Sequence, residues 1–275
     1  MLMAAVGTAA QFQPNKATSI TARKTPVPGL RGPAPTLPRT LMERRVRPVE
    51  WSRLAIAEPG EPVVATSIDV WNDVHQERDA LLGLLENLTA FQWDTPSLCS
   101  EWRVRDVVGH MVSETTMTIP NVLIGTIFNG FRINRFIAGD ARNRGNSALP
   151  LLLDDFRSAA PTRTHLRGLS SLSMLNDIVI HSLDIRRPLN LKQSVPESRM
   201  ALVANDLWSS RFFLARKLFA GLRVEATDAD WGAGEGPVVA GPVEDLILAM
   251  SGRFGGLDMI RGEGMTAVLG RVQSL

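Results

Sequence analysis

The stretch Asp177-Ile178-Val179-Ile180-His181-Ser182-Leu183-Asp184 places three polar residues at i, i+4 and i+7, on one face of a helix. Between them stand Ile178, Val179, Ile180 and Leu183, so the rest of the helix reads as apolar and buried. A carboxylate on a buried helix must be paired or must ligate a cation. The segment runs from about 171 to 186 and stops at Pro188. It is read as a central helix of a bundle that carries a polar seam.

Helical spacing recurs on both sides of it. Val70, Trp71, Val74, Leu81, Leu82 and Leu85 predict a helix over residues 67–88. A turn follows at 94–97. A second helix is expected at 104–118, with Arg105 and Asp106 in its first turn and Pro120 beyond its end. A third, apolar one covers 121–137. Gly139, Gly145 and Pro150 read as a loop before a short helix at 151–159. Leu202, Leu207, Trp208, Phe212 and Leu218 predict a helix over 197–219. After Gly221 the pattern changes. Residues 222–226 alternate as a strand does, Gly232, Gly234 and Gly236 make a turn, and 237–240 return as a partner strand. Gly241-Pro242 opens a helix to about 251, and another short helix follows near Gly264. The fold class is therefore mainly α: a helical bundle over 66–220, then a small α/β C-terminal module over 221–275.

The first quarter differs in kind. Residues 1–65 hold nine of the 17 prolines and nine Lys/Arg against four Asp/Glu. Such spacing of proline breaks helices and leaves little apolar surface to offset ordering entropy, so this extension is expected to be disordered. Its charges are scattered and lack interleaved aromatics, which argues for solvation rather than nucleic acid. No apolar run approaches the ~20 residues of a membrane span, and the N-terminus lacks the basic start and long apolar centre of a signal peptide. With a single cysteine, Cys99, no internal disulfide framework exists. The chain reads as cytoplasmic.

The polar seam is where chemistry concentrates. Asp177 and His181, one turn apart, can chelate one metal ion, as carboxylate–histidine pairs in bundles do. His110, set among Val107, Val108, Met111 and Val112, is the natural third donor. Two histidines and one carboxylate suit zinc, and also admit iron, manganese or nickel. The spacing alone is equally satisfied by a hydrogen-bonded Asp–His pair and a core histidine. Asp184 reads as an acceptor behind the ligands or as a partner for Arg186 or Arg187. His75 and His165 read as surface residues, and Cys99 as a packed thiol. Neither a phosphate loop, a dinucleotide glycine fingerprint nor a CxxC knuckle is present.

Trp93, Pro96, Leu98, Cys99, Trp102, Arg105-Asp106-Val107 and His110 together resemble the opening of the mycothiol-dependent maleylpyruvate isomerase family. So do His181, Asp184-Ile185-Arg186-Arg187-Pro188 and Ala226-Thr227-Asp228-Ala229-Asp230-Trp231. The resemblance covers about 67–275. It implies a DinB-like four-helix bundle binding a divalent metal, usually zinc, through His110, Asp177 and His181, with mycothiol as thiol cosubstrate. It also implies a thiol-dependent isomerisation or transfer on a small electrophilic substrate, whose carboxylate Arg186 or Arg187 would hold. The sequence departs from the family at Asp177, where glutamate is expected, and at Arg103, where a Thr or Ser helix cap is. The reading of a different class is a non-catalytic metal-binding regulatory protein.

Overall fold

A computed structural model describes residues 67–99, 101–165, 169–192 and 195–275. The extension expected at 1–65 lies outside the described residues. The elements are α1 (Ser67–Leu85), α2 (Ala90–Trp93), α3 (Val104–Thr116), α4 (Ile119–Phe128), α5 (Ile133–Gly145), α6 (Leu149–Ala159), α7 (Ser171–Arg186), α8 (Glu197–Ser209) and α9 (Ala215–Leu218). They continue with β1 (Arg223–Ala226), β2 (Gly232–Ala233), β3 (Val238–Gly241), α10 (Val243–Met250), a 3₁₀ helix (Phe254–Met259) and α11 (Met265–Gln273).

Four helices close a ring. α1 packs against α6 and α7, and α3 packs against the same two from the opposite side. Their facing side chains, among them Val74, Leu81, Val107, Met111, Leu152, Phe156, Leu175 and Val179, form the core. α7 sits in the middle, because α8 and α10 cover the face it turns away from α1 and α3. Its start is set by Ser170, whose hydroxyl accepts from the Ser173 amide at 3.0 Å. No helix among the described residues is long and apolar enough to cross a membrane.

The start of α3 shows how the missing cap at Arg103 is replaced. The Asp106 carboxylate accepts from the Arg103 amide at 2.8 Å and binds the Arg103 guanidinium at 2.7 and 2.9 Å. The acidic residue in the first turn thus satisfies the donor next to it and complements the helix dipole.

Residues 121–137, expected as one helix, are two. Gly130 and Phe131 take φ of +67° and +58°, left-handed values that end α4 and turn the chain into α5. The loop expected from Gly139, Gly145 and Pro150 is also corrected. Gly139 lies inside α5 and Gly145 ends it, while Pro150 occupies the first turn of α6, where its missing amide costs nothing. Gly145 is there for close approach. A Cβ on it would stand 2.5 Å from Asp106 Oδ1, and one on Gly109 would stand 2.7 Å from the Ala141 carbonyl oxygen. Arg105 fastens the contact by donating to the carbonyls of Gly145 and Ser147.

The helix expected over 197–219 divides into α8 and the short α9. In the C-terminal part, β1 is central. β3 pairs with it in parallel, Val224 opposite Val239, and β2 pairs antiparallel on its other edge. The expected two-strand return is therefore wrong in direction. The glycine-rich segment supplies an edge strand instead of a tight turn, and the chain crosses β1 before running parallel to it. α10 begins after Pro242 as the sequence predicts.

Small residues at the α3–α5 crossing give a direct test. Gly145→Ala and Gly109→Ala should each destabilise the protein by roughly 1–3 kcal/mol through overpacking. Gly139→Ala, whose Cβ would meet nothing within 4 Å, should stabilise it by about 0.5–1 kcal/mol. Urea denaturation of the three variants measures the difference in sign.

Candidate metal centre

α3 and α7 each bring an imidazole and a carboxylate one turn apart: His110 with Glu114, and Asp177 with His181. All four are buried. His181 Nε2 lies 3.0 Å from Asp177 Oδ1, and His110 Nε2 lies 3.8 Å from Glu114 Oε1. The two imidazoles meet edge to face with centroids 5.8 Å apart, and Trp102 closes over His110 at 5.3 Å. Ligating atoms of His110, Asp177 and His181 fall within 4.8 Å of one another. The helices thus bring together the three residues singled out from the sequence.

The electrostatics of this pocket favour the neutral forms of the His181 imidazole and the Glu114 carboxyl. Burial pushes the His181 imidazole well below its ordinary value. Burial, with Asp177 beside it, pushes the Glu114 carboxyl well above its ordinary value, and the two carboxyls share a hydrogen bond. Arg78, itself lowered by burial, places its charge in reach of both and donates to the Thr162 carbonyl at 2.9 Å. His181 Nε2 and Asp177 Oδ1, 3.0 Å apart, are close enough to share one cation. By donor chemistry and spacing, these residues fit a divalent ion.

Behind His181 lies a second polar group. Asp184 Oδ2 is 3.1 Å from His181 Nδ1, accepts from the Cys99 thiol at 2.9 Å and accepts from Arg253 Nη2 at 2.6 Å. Cys99, His181 and Asp184 also group within 4.8 Å, but there Arg253 already supplies the cation. Burial and the neighbouring Asp184 push the Cys99 thiol well above its ordinary value, so it is kept as a protonated, packed thiol.

The pairing of Asp184 with Arg186 or Arg187 is corrected: its cation is Arg253. A residue at i+2 lies across the helix from its neighbour, and Arg186 accordingly donates to Ser182 Oγ at 3.1 Å and Glu244 Oε1 at 3.0 Å. Arg187 pairs with Glu244 at 3.2 Å and Asp245 at 3.0 Å. Holding a substrate carboxylate with either arginine would require breaking these pairs with α10. His75 and His165, expected at the surface, are half-buried against Trp71.

Glu114, Arg78 and Arg253 are the site residues that sequence reasoning missed. Glu114 had a signal, since it stands at i+4 from His110 on an otherwise apolar face. Ser113, Thr115 and Thr116 around it blur that periodicity. Arg253 had none, because its partner is 69 residues away.

Residues 74–186 match the family model described as the mycothiol maleylpyruvate isomerase N-terminal domain. Two solved structures align with the chain, each covering 72% of it and 92% of the solved chain. One is mycothiol-dependent maleylpyruvate isomerase, 14% identical with a TM-score of 0.47. The other is a histidine-to-alanine mutant of mycothiol-dependent maleylpyruvate isomerase, 12% identical with a TM-score of 0.47. No curated protein matches the chain.

The state of Cys99 is open to measurement. With its pKa raised, the thiolate fraction at pH 8 stays below that of a free cysteine, so iodoacetamide labelling should follow global unfolding. Labelling of the folded protein at the free-thiol rate would contradict this placement.

Proposed function

Residues 74–186 of this chain belong to the mycothiol maleylpyruvate isomerase N-terminal domain family, and from that premise we propose a metal-dependent thiol enzyme. Its divalent ion is held by His110, Asp177 and His181. It performs an isomerisation or transfer on a small electrophilic substrate, with mycothiol as thiol cosubstrate. The observation that carries the reading is the convergence of three buried donor atoms within 4.8 Å on two facing helices.

When bound, the ion, zinc in this reading, lowers the pKa of a thiol and polarises a carbonyl. Three protein donors leave a fourth position for thiol or substrate. In an isomerisation, the thiolate adds to a cis double bond conjugated to a carbonyl and a C–S bond forms. The new single bond rotates, the thiolate leaves, and the double bond re-forms as trans with the thiol recovered. The chain's part is to hold and exclude. His110 and His181 offer their imidazoles, that of His181 held neutral by burial, Asp177 offers its carboxylate, and Glu114 stands hydrogen-bonded to Asp177. Trp102 and the apolar residues of α3 keep water from the ring of His110.

Metal analysis of the purified protein tests this. His110→Ala, His181→Ala and Asp177→Asn should each lower bound metal at least about tenfold while leaving the helical circular dichroism intact. Full metal content in both histidine variants would overturn the assignment. Calorimetric titration with mycothiol separates the two function classes. Metal-dependent binding supports the enzyme, and a loaded protein that binds no thiol supports the non-catalytic metal protein.

A further inference from the structure

Asp184 stands outside the proposed ligand set, yet three separate parts of the chain converge on it. From α7 itself comes His181 Nδ1, 3.1 Å from Asp184 Oδ2. The connection between α2 and α3 brings the Cys99 thiol at 2.9 Å. The segment after α10 brings Arg253, with Nε donating to Oδ1 at 2.9 Å and Nη2 to Oδ2 at 2.6 Å. Arg253 Nη2 also reaches Cys99 Sγ at 3.3 Å, and its Nη1 donates to the Ser251 carbonyl at 2.8 Å. Asp184 is fully buried. The same residue's backbone carbonyl accepts from the Leu98 amide at 3.1 Å.

A carboxylate gripped by both donors of a guanidinium fork offers only lone pairs. The imidazole nitrogen beside it must therefore carry the proton. In a neutral ring the other nitrogen, Nε2, then carries the lone pair, and it stands 3.0 Å from Asp177 Oδ1. We infer that Asp184 is a positioning residue that fixes the tautomer and orientation of His181 for metal ligation, and that Arg253 holds Asp184 in place. The C-terminal part thereby reaches the metal centre through a chain of two hydrogen-bonded pairs, Arg253 to Asp184 and Asp184 to His181. This rests on the metal reading above and deepens it.

Charge alone makes a competing forecast, and the two can be told apart. Asp184→Asn removes a negative charge near the ion, so weaker binding follows from either cause. Arg253→Met removes a positive charge. Simple electrostatics then predicts tighter metal binding, whereas loss of positioning predicts weaker binding.

The test uses the full-length protein stripped of metal and titrated with zinc alone. Asp184→Asn should weaken zinc binding by about 10- to 100-fold and Arg253→Met by about tenfold. In the metal-free protein, long-range ¹H–¹⁵N spectra should show His181 protonated at Nδ1 in the parent and losing that preference in Asp184→Asn. A merely structural role would leave this tautomer signature unmoved. Unchanged or tighter zinc binding in Arg253→Met, or an unchanged tautomer in Asp184→Asn, overturns the inference while the metal reading stands. A parent protein that takes up no zinc overturns the metal reading and this inference with it. Should Asp184→Asn fail to fold, the affinity and tautomer of Arg253→Met decide alone.

Discussion

Helix α7 is sealed from solvent along residues 174–186, and a sealed helix must find a partner for every charge it carries. Each polar side chain on it does so in a different direction. Asp177 and His181 face α3, Asp184 receives Arg253, Arg186 reaches Glu244, and Asn176 donates to Asp206 on α8 at 2.5 Å. An unpartnered charge there would cost about 3–5 kcal/mol, so the helix cannot rotate or slide without penalty at several points together. The apolar residues between them supply the burial energy but little direction, since Leu and Ile pack acceptably in many registers. It is the polar contacts that specify where α7 sits, and the donor geometry of the site is a by-product of that specification.

Much of this was legible in residues 177–184, because period, apolar filling and polar seam agree there. The end of α7 follows from Pro188 as a stop, and the start of α10 from Pro242. Where reading failed, local signals and tertiary packing pointed in different directions. Gly139 and Gly145 look like loop residues, yet both lie in α5, which runs against α3 at a distance that Gly109 and Gly145 permit. Residues 121–137 carry unbroken apolar character, and only the left-handed pair Gly130 and Phe131 divides them. Strand direction in the C-terminal sheet depends on which edge of β1 is open, a property no local pattern records.

The pocket itself was half legible. His110, Asp177 and His181 stand out because each interrupts an apolar run. Glu114 is masked by its hydroxylic neighbours, although it makes α3 a counterpart of α7, with one imidazole and one carboxyl on each. That doubling matters for charge. Burial and the neighbouring Asp177 push the Glu114 carboxyl well above its ordinary value, and the two carboxyls share a hydrogen bond. Asp177 is also one methylene shorter than the expected glutamate.

The ion pairs between α7 and the C-terminal part call for a different accounting from surface pairs. Arg186–Glu244 and Arg187–Asp245 each involve a partner that is nearly fully buried, and desolvation consumes most of what such pairs gain. Apolar residues of equal volume would join α7 to α10 at least as tightly. What apolar residues cannot do is fix orientation. Arg253 has a planar fork matched to a carboxylate, so it sets the plane of Asp184 as well as its distance. That plane determines which edge of the His181 ring is held, and with it which nitrogen faces Asp177. Orientation is then passed between the two parts of the chain by geometry that a hydrophobic contact could not transmit.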